Sequence, residues 1–235
     1  STLDWPQNQE QFDNFWPGIQ LAGKDNLRQQ AAMWQAMLLS AQLPNSKQIL
    51  INGFIGVDGQ KMSKSLGNVI SPNDMIDRYG LDATRYLLVS LGTFSEDSDV
   101  TFEKLNILYN ANLANGIGNL CSRVAKMAEQ IGLTMTKEEN LLDENFTKLM
   151  NNYDLSEALK YIDSLVNSLD KFLATQAPWK LPEQEKVLVL QTASQKIREI
   201  AHTLTPFMPE TAQQIKNHFS GSIKAFTQGL FPRLS

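Results

Sequence analysis

Apolar positions change spacing three times along the chain. Residues 1–20 hold isolated aromatics, Trp5, Phe12, Phe15 and Trp16, beside Pro6 and Pro17. This reads as an irregular segment or a short helix anchored by its rings. Leu27, Ala31, Met33, Trp34, Met37, Leu38 and Ala41 then recur near a 3.6-residue period. They predict a helix that Asp25 can cap and that ends before Pro44. The run Gln48 to Ile55 is continuously apolar enough for one buried strand. A strand after a helix suggests a unit of a parallel α/β sheet, whose ligands sit beyond the strands' carboxyl ends.

Further on, Ser71-Pro72-Asn73-Asp74 has the capping hydroxyl, first-turn proline and acidic residue of a helix start. Gly80 separates that helix from a second, running from Asp82 to about Ser90. Residues 94–100, with Glu96, Asp97 and Asp99, read as an acidic, irregular surface turn. From Thr101 the pattern is helical, with no further strand of note. Thr101 can cap a long helix to about Gln130, with Leu105, Leu108, Tyr109, Leu113, Ile117, Leu120, Val124 and Met127 as its stripe. Gly116 and Gly118 in that stripe would permit close helix–helix approach. More helices are predicted over 143–152, 155–175, 183–203 and 207–218, with Asp154 and Pro182 as starts and a break at Pro206 to Pro209. The fold class is mainly α: a small α/β piece followed by a helical bundle.

Composition narrows the function classes. The chain has 235 residues, 42% of them apolar, and a formal charge of −4. Residues 1–100 carry 7 Lys and Arg against 11 Asp and Glu; residues 101–235 carry 14 of each. Neither part has the bulk positive charge of a nonspecific nucleic-acid binder, so RNA contact must come from local patches and shape. Cys121 is the only cysteine, which excludes an intrachain disulfide and a cysteine zinc cluster and suits a reducing cytoplasm. No apolar run is long enough for a membrane helix, and no membrane partner is expected. The start at Ser1, without Met or a signal-peptide profile, reads as a piece cut from a longer protein.

The chemistry concentrates between Gly53 and Pro72. Glycines stand at 53, 56, 59 and 67, and Lys61-Met62-Ser63-Lys64-Ser65 lies between them. Lysine is a mobile point charge with three donors, serine hydroxyls add small hydrogen-bonding groups, and glycines let backbone approach a ligand. Such a set can grip a polyphosphate. It is equally the composition of a solvated surface loop.

Lys61 to Ser65 spells KMSKS, followed by Leu66-Gly67-Asn68, Pro72 and Tyr79-Gly80-x-Asp82-Ala83-x-Arg85-Tyr86. This run resembles the signature loop of class I aminoacyl-tRNA synthetases. Gly23-Lys24-Asp25 with Arg28, Trp34 and Ala36-Met37-Leu38 resembles the methionyl branch. So do Asn112-Leu113-Ala114-Asn115 with Gly118-Asn119-Leu120 and Arg123, Ala177-Pro178-Trp179-Lys180, and the ending Leu230-Phe231-Pro232-Arg233. The resemblance spans essentially the whole chain.

It implies three parts. Residues 1–56 would be the carboxy-terminal piece of a Rossmann catalytic domain. Residues 57–100 would be the KMSKS loop and stem-contact fold. Residues 101–235 would be a helical anticodon-binding domain. The family's loop closes on ATP, so Lys64 and Lys61 are the implied catalytic residues. Lys61, Met62, Ser63, Lys64 and Ser65 are the implied ATP-binding set, with Mg2+ accompanying ATP. Asp25, Gln30 and Trp34 would border the amino-acid site. Asn26, Gln29-Gln30 and Gln35 stand where the family usually has an apolar residue, Phe-His and proline, which alters that pocket.

Asn119 and Arg123, four apart on a helix, and Trp179 would read the anticodon of tRNA(Met). Otherwise they are a helix-surface pair and a core tryptophan. No metal site is expected within these residues. His202 and His218 read as surface or capping residues. The family's His-x-Gly-His signature and zinc-bearing insertion are absent, so this chain alone is expected not to activate methionine. Two alternatives stand beside this reading. One is a class I synthetase for valine, isoleucine, leucine or cysteine. The other is a tRNA-binding module without catalysis.

Overall fold

The computed structural model describes residues 5–62, 67–93, 95–136 and 143–234. The first segment follows its aromatic pattern. Helix α1 (Gln9–Phe15) is capped by Asn8, whose side chain accepts the Gln11 N–H at 3.0 Å. Its one buried residue, Phe12, packs between Trp5 and Trp16, with ring centroids 6.2 and 6.3 Å away. The Trp16 indole N–H donates to Pro44 O at 2.8 Å, tying the segment to the end of the next helix.

Strand β1 (Ile19–Gly23) pairs parallel with β2 (Gln48–Asn52), Leu21 opposite Leu50. The crossover is helical from Lys24 to Ser40, through a 3-10 turn (Lys24–Asn26), a π-helical turn (Gln29–Met33) and helix α2 (Trp34–Ser40), and irregular from there to β2. The helix is therefore entered at Gly23, and Asp25 lies inside the first turn rather than capping it. Parallel sheets are normally covered on both faces. Here Leu21, Met33, Met37 and Leu39 are 65%, 55%, 61% and 63% exposed, an apolar surface of the kind that marks an interaction face.

The single strand expected over 48–55 is broken at Gly53. A Cβ there would lie 2.0 Å from the Glu96 carbonyl oxygen, so the backbone of 96–97 crosses where a side chain would stand. Beyond it, β3 (Ile55–Val57) turns back through Asp58–Gly59 into β4 (Gln60–Lys61). Asp58 at φ 52° and Gly59 at φ 72° give the two positive values that a twisted two-residue hairpin needs. On the other side β3 pairs parallel with β5 (Ser98–Asp99). The acidic stretch is thus not wholly irregular; the carboxylates of Asp97 and Asp99 accept backbone N–H groups.

Helix α3 (Pro72–Tyr79) starts as its sequence predicts. Ser71 Oγ accepts the Asp74 N–H, and Asp74 accepts the Ser71 N–H. Gly80, at φ 79°, separates α3 from α4 (Leu81–Ser90). The bundle then begins with Thr101 capping α5 (Phe102–Leu108). The long helix expected to Gln130 is instead a kinked rod: α5, a π-helical stretch (Tyr109–Gly118) and α6 (Asn119–Gln130), with non-helical angles at Gly116 that break the helix there. Leu105, Tyr109, Leu113 and Ile117 explain the π-helical stretch. Residues four apart overshoot an α-helical turn by roughly 40° each time, and a wider winding returns them to one buried face.

Gly118 does not serve helix–helix approach as expected. Its missing Cβ leaves room for Phe231 of the closing segment, 3.3 Å away. Helices α7 (Glu144–Asn151), α8 (Leu155–Gln176), α9 (Glu183–Leu204) and α10 (Pro209–His218) fall within a few residues of their expected spans. Two-residue strands β6 (Thr134–Met135) and β7 (Gly221–Ser222) pair where no strand was expected. The core runs through α4, the long rod and α8 to α10, with Leu87, Leu105, Leu120, Leu169 and Ile197 fully buried. Each such side chain stabilises by about 1.5–3 kcal/mol relative to exposure.

Candidate functional site

The signature stretch begins inside a sheet. Lys61 is the last residue of β4, its backbone opposite Gly56. Met62 follows, half-buried and packed on the main core, and Ile70 packs on the same core where the chain returns. Ser63, Lys64 and Ser65 lie outside the described residues. Both ends of the stretch are therefore anchored, one by the hairpin and Met62, the other by Ile70 and the Ser71–Asp74 capping box. Gly53 and Gly56, whose Cβ atoms would press on Glu96 O and on Gln60 O at 2.9 Å, serve the packing of backbone on backbone rather than approach to a ligand.

The motif after the loop joins α4 to the bundle. Asp82, buried, accepts the Thr211 N–H at 2.6 Å at the start of α10. Arg85 donates to Phe207 O at 2.9 Å and Pro206 O at 2.7 Å, carbonyls just past the end of α9. The Tyr86 hydroxyl donates to Asp163 on α8 at 2.8 Å and accepts from the Asn112 side chain at 3.1 Å. Burial first, and then the neighbouring carboxylate, push the Tyr86 phenol up, so it stays a donor. Burial also holds the Asp163 carboxyl above its ordinary value, although the Tyr86 bond acts the other way.

In the bundle, Asn119 is exposed at the first position of α6, three residues past the irregular Gly116. Arg123 lies four further on, the same-face spacing of a helix. Its Nη1 pairs with Asp170 on α8 at 2.6 Å. Trp179 is 51% exposed in the 3-10 turn Pro178–Lys180, which excludes the core-filling role. That turn follows α8 through Ala177, whose φ of 43° reverses the chain. Arg123 and Trp179 are thus linked through the last turns of α8. Asn119 joins them only through its place on α6.

Asp25, Gln30 and Trp34 share the crossover between β1 and β2, Asp25 and Trp34 exposed and Gln30 half-buried. The Gln30 carbonyl accepts from Gln35 Nε2 at 2.9 Å, and Gln35 also bonds Ser46. Gln35 thereby ties the helix to the approach of β2. His218 stacks on Phe226 with centroids 3.6 Å apart and meets Lys224 O at 2.6 Å, as a structural histidine does. Among the described residues, no group of three or more His, Cys, Asp or Glu is placed to hold a metal ion. No described helix is long and apolar enough to cross a membrane.

The sequence reading missed the hairpin, although Asp58-Gly59 is a strong hairpin pair. It also missed the partners Asp163 and Asp170, which no local pattern announces.

Comparison with known proteins decides the family. The family described as tRNA synthetases class I (M) matches residues 1–125, which include the hairpin, the signature stretch, the α4 motif and the start of α6. The chain belongs to this family. Relatives extend the match into the remaining bundle. The methionine–tRNA ligase of Clostridium acetobutylicum is 35% identical over 91% of this chain and 36% of its own length. That of a Nostoc species is 35% identical over 90% of this chain and 44% of its own length. The Mycobacterium tuberculosis methionyl-tRNA synthetase, solved in complex with methionyl-adenylate, superposes with a TM-score of 0.83 at 26% identity, over 98% of this chain and 53% of that one. This member of the class I (M) synthetases therefore spans about half the length, or less, of these relatives.

Proposed function

We propose that this chain supplies the ATP-facing loop and the tRNA-reading helices of a methionine–tRNA ligase, which activates methionine with ATP and transfers it to tRNA(Met). The observation that carries the proposal is the KMSKS segment leaving a hairpin beside a parallel βα unit, in a chain similar throughout to methionine–tRNA ligases. The open, two-stranded sheet with its exposed apolar helix supports reading residues 1–56 as the last piece of a Rossmann catalytic domain. Residues 57–100 are then the loop and stem-contact fold, and residues 101–235 the anticodon-binding bundle. The chain alone is inactive in this account.

During activation the methionine carboxylate attacks the α-phosphorus of ATP, and the pyrophosphate leaves with growing negative charge. Lys64, with Lys61, stabilises that charge, Ser63 and Ser65 complete the ATP-facing segment, and Met62 serves it as an anchor on the core. Mg2+ enters with ATP. Asp25, Gln30 and Trp34 border the methionine site. In the bundle, Trp179 offers a face on which an unpaired base can stack, worth about 1–3 kcal/mol. Asn119 and Arg123 offer an amide and a guanidinium to base edges of the splayed anticodon. The exposure of Trp179 and Asn119 favours this role over a structural one. In the complete ligase, Lys64→Ala should lower the turnover of methionine-dependent pyrophosphate exchange far more than methionine binding; equal losses contradict the assignment.

A further inference from the structure

Asp97 and the strand β5 take no part in the function proposed above, yet they hold the approach to Lys61 at Phe54, Gly56 and Gly59. Asp97 and Asp99 stand two apart, which in extended backbone puts their side chains on one side. Each carboxylate takes one backbone N–H from the approach to the signature stretch and one lysine. Asp97 accepts the Phe54 N–H at 2.8 Å and pairs with Lys24 Nζ at 2.5 Å, and Lys24 also sits 4.3 Å from the centroid of the Phe54 ring. Asp99 accepts the Gly59 N–H at 2.9 Å through one oxygen and pairs with Lys104 Nζ at 2.5 Å through the other.

The two lysines come from opposite directions. Lys24 belongs to the turn after β1, Lys104 to the first helix of the bundle. Backbone bonds from Ser98 N–H to Phe54 O (2.9 Å) and from Val100 N–H to Gly56 O (2.8 Å) complete the seam. The absent side chain of Gly53 lets residues 96–97 lie against it.

Exposed ion pairs contribute little stability, and these four side chains are 31–57% exposed. What a charged acceptor fixes on a backbone N–H is direction. Lysine first, and then the backbone N–H, hold both carboxyls below their ordinary range, so both are ionised at neutral pH.

We propose that Asp97 and Asp99 are positioning residues for the signature loop: they hold the hairpin Ile55–Lys61 between the βα unit and the helical bundle, and so set where Lys61 leaves the sheet. The functional part rests on the reading of Lys61 as ATP-facing.

The test has two arms. In the isotope-labelled 235-residue chain, amide exchange is followed by NMR. Asp97→Ala should speed exchange at Phe54, and Asp99→Ala at Gly59, by about tenfold or more, the scale of a lost charge-assisted bond. Asp99→Asn, which keeps an acceptor oxygen, should lie between, and buried bundle amides such as Leu120 should not change. In the complete ligase, Asp99→Ala should lower kcat of pyrophosphate exchange about tenfold with the KM for methionine unchanged, and Asp99→Asn should restore part of the loss.

Unchanged exchange at Phe54 and Gly59 overturns the clamp. Faster exchange with undiminished kcat, beside an inactive Lys64→Ala control, overturns its positioning role. If Lys64→Ala is itself undiminished, the ATP reading falls, while the amide arm still decides the clamp.

Discussion

Removing one hydroxyl, in Tyr86→Phe, should loosen the joint between α4 and the bundle. Tyr86 is 1% exposed, and its hydroxyl lies 2.8 and 3.0 Å from the two Asp163 oxygens. A hydrogen bond to a charged group contributes about 1.5–3 kcal/mol. Asp163 keeps a long contact to Asn112 at 3.4 Å, so the lower part of that range applies, about 1.5–2 kcal/mol. For a chain of this size that corresponds to a fall in Tm of about 3–8 °C, read by circular dichroism.

The pH dependence sharpens the test. The folded pKa of Asp163 is raised, so the native state binds more protons between the folded and unfolded values, and Asp163 adds stability as pH falls through that window. Without the Tyr86 donor the folded value rises further. The deficit of Tyr86→Phe should therefore be largest above that window and shrink as Asp163 takes a proton. A cycle with Asp163→Asn should give a coupling above about 0.5 kcal/mol. A variant melting within a degree of the parent at neutral pH would refute the network as the joint.

Gly118→Ala should destabilise by about 1–3 kcal/mol, because its Cβ would stand 2.8 Å from Leu113 O and 3.3 Å from Phe231. Ordinary helix propensity gives the opposite sign, a gain near 1 kcal/mol, so a urea titration separates the two. The carboxylates of Asp97 and Asp99 have lowered folded values, so their contribution is complete above the ordinary carboxylate value near 4 and lost as pH falls through the folded values. Backbone amide signals of Phe54 and Gly59 should shift in that acid range while those of the buried bundle stay fixed.

The sequence made helix starts legible where residues within one turn do the work: Ser71, Pro72 and Asp74 for α3, Thr101 for α5. The bundle's stripes were legible because burial repeats at helical spacing. What escaped depends on contacts distant in sequence. Gly53 is glycine because of Glu96, Gly118 because of Phe231, and the rod widens because four-residue spacing must meet one core. Arg85 and Tyr86 looked like part of the loop's signature, but the carbonyls of Pro206 and Phe207 and the carboxylate of Asp163 give them a structural purpose. At the candidate site, the KMSKS letters pointed to the chemistry and Trp179 to a surface. Asp97 and Asp99 lie 43 and 40 residues from the amides they hold, Asp170 lies 47 from Arg123, and none of the three carries a local motif.

The central claim is that these helices read a methionine anticodon. Filter binding of the chain to tRNAs differing only in the anticodon tests it most directly, with Trp179→Ala alongside. The account predicts tighter binding of the tRNA with a CAU anticodon and loss of that preference in Trp179→Ala, by about 1–3 kcal/mol. Equal affinity for all anticodons, or a preference untouched by Trp179→Ala, would contradict it.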